Sequence, residues 1–151
     1  MALIAGLFYS YSCSVNPGLA TLSNREYLLA MKAINRAILN PWFFLSFIGS
    51  LLVTPTTAIL YYRSVGMDLT FYLLLAAFVL YFIGVFGVTA LGNVPLNNSL
   101  DAFQAELATE TEMKNRRIKF EIPWRRLHTI RTFANLVALT LVLLALVWKI
   151  A

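Results

Sequence analysis

The chain has 151 residues, 60% of them hydrophobic and 13% charged, with a mean hydropathy of +0.73, a net charge of +5 and a single cysteine. That composition excludes an ordinary soluble domain, in which only about half the residues are apolar and long uninterrupted apolar runs are not needed. One Cys13 excludes an intrachain disulfide, and one His128 excludes a multi-histidine metal site within the chain.

Four apolar runs, at about 1–20, 41–62, 69–91 and 132–148, predict membrane spans, because the hydrocarbon core asks for about 20 residues of helix. The expected fold is all-α: one domain over residues 1–151, an integral membrane four-helix bundle with amphipathic cytoplasmic helical extensions. The opening stretch "MALIAGLFYSYSCSVNPGLA" has no basic leader and no A-x-A site, so it reads as the first span rather than a signal peptide. It carries Tyr9, Ser12, Cys13 and Asn16 on one face, and Pro17-Gly18 is expected to break it.

"SNRE" at 23–26 spells a capping box and predicts a helix with Tyr27, Leu28, Met31, Ile34 and Ile38 on its apolar side, bounded by Pro41. In the second span, Trp42, Phe43 and Phe44 at one end and Tyr61, Tyr62 and Arg63 at the other read as headgroup-level anchors. Pro55 frees the Leu51 carbonyl, and Thr54 or Thr56 can satisfy backbone groups near it. Gly84 and Gly87 in the third span predict close helix contact.

That span runs into "GNVPLNNSLD", where Pro95 cannot donate to Leu91 and is expected to kink or interrupt the helix. Leu96, Leu100, Phe103 and Leu107 predict a second amphipathic helix, and "TETEMKNRRIKFEI" reads as a solvated loop. Pro123 suits the first turn of a last helix over about 123–149, closed by Trp148 and Lys149.

Of the twelve Lys and Arg, all but Arg63 and Lys149 fall in the two long connections or at the start of the last span. The positive-inside rule then places those connections in the cytoplasm and both termini outside, in the plasma (inner) membrane. The bilayer is the expected partner; no nucleic-acid motif accompanies the basic residues, and a homo-oligomer is left open.

Polar residues at membrane depth mark the candidate site, since hydrocarbon offers them no partner. Trp124, His128, Arg131 and Asn135 recur at four, three and four residues and form one helical stripe, continued by Leu139, Val142 and Leu146. Asn93 and Asn97 lie at the same cytoplasmic level, joined by Asn16 and Tyr9 from the first helix and Asn35 from the capped helix. Together they predict a polar pocket under a hydrophobic lid. No cofactor is expected: there is no phosphate loop, no cysteine cluster, and no second axial ligand to pair with His128 at a haem.

The succession "AGLFYSYSCSVNPGLA", "AINRAILNPWF", "GVTALGNVPLNNSLD" and "PWRRLHTIRT" resembles the anthrone oxygenase family, most specifically in "NVPLN" followed by the Trp and Arg. The resemblance implies a membrane-embedded, cofactor-independent oxidation of a lipophilic phenolic or anthrone-type substrate with O₂. It further implies His128 as base, Arg131, Asn93 and Asn97 holding the substrate oxygens, and Trp124 stacking on its rings. The competing readings are a non-catalytic membrane protein that binds a lipid, quinone or other small hydrophobic ligand, and a structural subunit whose polar cluster ties helix ends together.

Overall fold

The computed structural model describes the backbone of residues 1–150 and the side chains through Trp148. Most of the described residues are helical, with no strand among them. α1 (Ala2–Ser10) passes through a π-helical turn at Tyr11–Val15 directly into α2 (Asn16–Ala20). Pro17 therefore does not break the helix, contrary to expectation. Its ring crowds the carbonyl four residues back, and the widened turn immediately before it provides the room.

α3 (Asn24–Ala37) begins at the expected capping box: Glu26 N–H donates to Ser23 Oγ at 3.4 Å, and Ser23 N–H donates to the Glu26 carboxylate at 3.0 Å. These bonds from Ser23, side chain first, hold the Glu26 carboxyl below its usual range. Tyr27, Leu28 and Met31 form its buried face. α4 (Pro41–Val65) is capped by Asn40, whose Oδ1 accepts from Phe43 N–H at 3.0 Å. It stays helical through Pro55, where the hydroxyls of Thr54, Thr56 and Thr57 donate to the carbonyls of Ser50, Leu52 and Val53. Gly66 ends it at φ +103, a backbone setting that favours glycine.

α5 (Leu69–Leu80) is capped by Asp68, which accepts from Phe71 N–H at 3.0 Å and from the Tyr61 hydroxyl at 2.6 Å. It continues through π-helical segments Tyr81–Gly87 and Thr89–Asn93 into α6 (Val94–Asp101). The predicted interruption at Pro95 is absent for the same reason as at Pro17: a π segment ends two residues before it. α6 stops at Asp101 and Leu107 is exposed, so the expected apolar face reduces to Leu96, Leu100 and Phe103.

α7 (Glu110–Ile150) holds the largest correction. Its 41 residues make one helix roughly 60 Å long at 1.5 Å per residue. The supposed solvated loop is its first turns. A second capping box, Thr109 with Glu112, starts it, and Glu121 pairs with Arg117 at 2.8 Å and Arg125 at 3.5 Å along one face. Pro123 lies inside this helix rather than at its start. The expected anchor Lys149 lies outside the described side chains.

Three helical stretches are long and apolar enough to cross a membrane: Pro41–Val65, Leu69–Asp101 and Glu110–Trp148. The N-terminal helix, interrupted by serines and Asn16, does not join them on length and composition. α7 packs along α5 and the two π segments that follow it, around a core of Ile4, Phe8, Phe47, Tyr81, Val85 and Ala138. A Cβ on Gly84 would lie 2.6 Å from Ala134 Cβ, and one on Gly92 would lie 2.8 Å from a Leu127 methyl, so both glycines let helices touch. Gly87 meets only a carbonyl of its own segment. The outer faces carry exposed Leu52, Ile59, Ile83 and Leu143.

Candidate functional site

The first helical path, α3, α4, the π segments after α5, α6 and α7 together line a cavity of about 220 Å³. Its walls are aromatic: Phe8 and Tyr11 from the first helical path, Phe43, Phe44 and Phe47 from α4, and Phe86 from the first π segment after α5. Its polar points are few. Asn35 comes from α3, Thr89, Asn93 and Asn97 from the second π segment and α6, and Trp124 and Arg131 from α7. That is the usual make-up of a small-molecule site, apolar with a handful of directional groups.

Trp124 is gripped by the two amides flanking Pro95. Its indole N–H donates to Asn97 Oδ1 at 3.0 Å, and its backbone carbonyl accepts from Asn93 Nδ2 at 3.5 Å. Asn93 and Asn97 thus reach across to α7 instead of capping their own helix. Asn93 Oδ1 remains buried without a partner, as do Asn35 Nδ2 and both polar atoms of the fully buried Asn135.

Arg131 is 9% exposed and, among the described residues, pairs with no carboxylate. The ion pairs among the described residues are Arg36–Asp101 and those of Glu121, all outside the cavity. Its guanidinium lies 4.4 Å from the Phe8 ring centroid and 5.3 Å from that of Trp124, so π faces take the place of an anion. Arg131 Nε and Nη2 approach His128 Nδ1 at 3.3 and 3.2 Å, and Nη1 donates to Thr89 Oγ1 at 3.4 Å. Of five N–H groups, two stay available to a ligand.

These contacts fix the imidazole. Arginine only donates, so Nδ1 carries the lone pair. Ser12 Oγ and Thr132 Oγ1 give their own protons to carbonyls, Phe8 at 3.1 Å and His128 at 2.7 Å. They therefore accept from His128 Nε2, at 3.1 and 3.4 Å. The ring stacks on Trp124 at 5.1 Å and an 11° tilt. It is 2% exposed and does not line the cavity. With both nitrogens engaged, His128 presents no open lone pair for a general base.

Of the residues singled out by sequence, Asn93, Asn97, Trp124, Arg131 and Asn35 line one cavity, with His128 behind them. Asn135 sits one turn further along α7 in the core. Asn16 is half-buried on α2, and Tyr9 is 61% exposed on the outer surface; neither reaches the cavity. The stripe's continuation also differs: Leu146 is exposed, and the small Ala138 and Ala145 take the buried positions.

Sequence reasoning missed Phe8, Tyr11, Phe47, Phe86 and Thr89 as cavity walls, and read Phe43 and Phe44 only as interfacial anchors. One signal was present. Phe43 and Phe47, and Phe8 with Tyr11 and Ser12, share faces at helical spacing.

A profile of the family described as anthrone oxygenase matches residues 42–141, from the start of α4 through most of α7. No curated protein and no solved structure matches the chain. The matched stretch holds Asn93, Asn97, Trp124, His128, Arg131 and Asn135, whereas Phe8, Tyr11 and Asn35 lie before it. With about two thirds of its length inside the match, the chain belongs to the anthrone oxygenase family.

Proposed function

We propose that this protein is a membrane-embedded oxygenase that oxidises a lipophilic phenolic, anthrone-type substrate with O₂ and no cofactor. In this reading the N-terminal helix completes a four-helix bundle in the plasma membrane, with the basic connections cytoplasmic and both termini outside. The observation that carries the proposal is a buried guanidinium without a carboxylate, set in an aromatic-walled cavity beside two amides. Family membership points the same way.

The chemistry asks for stabilisation of an anion. An anthrone loses a proton from its methylene to give a delocalised enolate, which combines with O₂ to form a peroxide at that carbon. Loss of water then leaves the quinone, so one anthrone and one O₂ become one anthraquinone and one water. Arg131 lowers the cost of the enolate, acting where charge develops. Asn93, Asn97 and Asn35 orient the remaining oxygens, and Trp124 with Phe47 bounds the ring plane. Asn135 supports this region from the core. His128 is a positioning residue that aims Arg131, and the methylene proton leaves to water or hydroxide.

The test is O₂ uptake by the purified protein in lipid nanodiscs with 1,8-dihydroxyanthrone. The expected result is saturable O₂ consumption above empty nanodiscs, matched one to one by quinone absorbance. Saturable binding with no turnover above background would instead establish the second reading, a non-catalytic binder of a lipid, quinone or other small hydrophobic ligand. The absence of an open base among the cavity-lining residues favours that alternative.

A further inference from the structure

Most residues that line the cavity are buried or half-buried. Its lining is nonetheless exposed at Leu39, Phe44, Ala90 and Val94. Leu39, Phe44 and Val94 line it and are 65%, 44% and 41% exposed. All three are apolar, and they face outwards between the start of α4 and the junction of the second π segment with α6. Apolar surface left uncovered on a membrane-spanning bundle is covered by lipid.

We propose that the cavity is loaded sideways from the bilayer through this gap, with Leu39, Phe44 and Val94 as its lips, by a planar phenol that travels neutral and is held as a monoanion. The proposal rests on the reading of this cavity as the ligand site. Its charge rule is independent of the reaction: Arg131 is the one charged residue in the lining, so a single negative charge is matched and a dianion is not. A neutral phenol crosses hydrocarbon at modest cost, whereas its anion does not.

The experiment uses 1,8-dihydroxyanthraquinone, which cannot be oxidised in the same way and whose phenolate absorbs to the red of its phenol. In stopped-flow mixing with the protein in nanodiscs, the parent should develop the phenolate band at neutral pH. Val94→Trp and Leu39→Trp should slow association and dissociation alike, each by about tenfold, leaving Kd within about threefold of the parent. Arg131→Met should abolish the band. A second arm needs no ligand. In a Cys13→Ser background, Val94→Cys should react with a lipid-soluble maleimide and resist a charged, water-borne thiosulfonate that labels Arg36→Cys. Parent rates in both tryptophan variants, or charged-reagent labelling of Val94→Cys as fast as of Arg36→Cys, would overturn the gap. Failure of the parent to bind the quinone, with lipid-only labelling retained, would strike the ligand-site reading and leave the gap standing.

Discussion

Replacing Arg131 by Met should remove activity and leave stability nearly unchanged, a combination that ordinary core positions do not show. The buried cation costs several kcal/mol in desolvation. Offsetting it are the π faces of Phe8 and Trp124, about 1–2 kcal/mol each, and the charge-assisted bond to His128 Nδ1, about 1.5–3 kcal/mol. Those terms cancel to within a few kcal/mol. Methionine fills comparable space without the charge, so unfolding should move by no more than about 2 kcal/mol in either direction. Turnover should drop about 10²–10³-fold, the loss seen when one preorganised oxyanion donor is removed. The assay pairs O₂ uptake in nanodiscs with thermal unfolding of the same preparation. If Arg131→Met kept more than about a tenth of parent turnover, the guanidinium would not be the electrostatic centre. If it unfolded well before the parent, Arg131 would be a structural residue.

His128 separates positioning from base catalysis: His128→Asn, whose amide oxygen can still accept from Arg131, should retain most turnover, whereas His128→Leu should lose it. Comparable loss in both variants would return the base role to the imidazole. Gly84→Ala places a methyl 2.6 Å from Ala134 Cβ and should destabilise the bundle by about 1–3 kcal/mol in detergent unfolding, with recovery in the double variant with Ala134→Gly. Glu26 bears on acid stability. Its folded pKa is depressed, so its contribution is present above the usual carboxylate range and is lost as pH falls through the folded value. Hydrogen exchange of the first-turn amides of α3 should accelerate below that range in the parent, while Glu26→Gln should show faster exchange already at neutral pH and little further change.

What could be read from the sequence was whatever depends on regular spacing. The stripe Trp124, His128, Arg131 and Asn135 follows from the helical repeat, and all four are buried together. "SNRE" announced α3 because its capping bonds are local. Residues 110–122 resemble a solvated loop because their charges are mixed in sign, yet the Thr109–Glu112 cap and the Glu121 pairs support a helix there. Pro123 then suggested a start where the helix was already underway. The aromatic walls stayed hidden for another reason. Whether Phe43 faces lipid or a cavity is decided by neighbours from α1, α3 and the π segments, and no local pattern encodes that. Asn93 and Asn97 pointed to the right region, but their bonds go to Trp124 on a helix far away in sequence.

The widened turns at Tyr11–Val15 and Thr89–Asn93 each insert one residue more than a regular helical repeat would hold. One residue corresponds to about 100° of rotation about the helix axis. That turn absorbs its extra residue locally, whereas deleting Leu96 from the regular helix beyond it would swing every later side chain of α6 by that angle and carry Asn97 away from the indole. Such a change alters no functional side chain, yet it would dismantle the grip on Trp124. In this scaffold the count of residues along the backbone specifies where the amides point as firmly as their identity does.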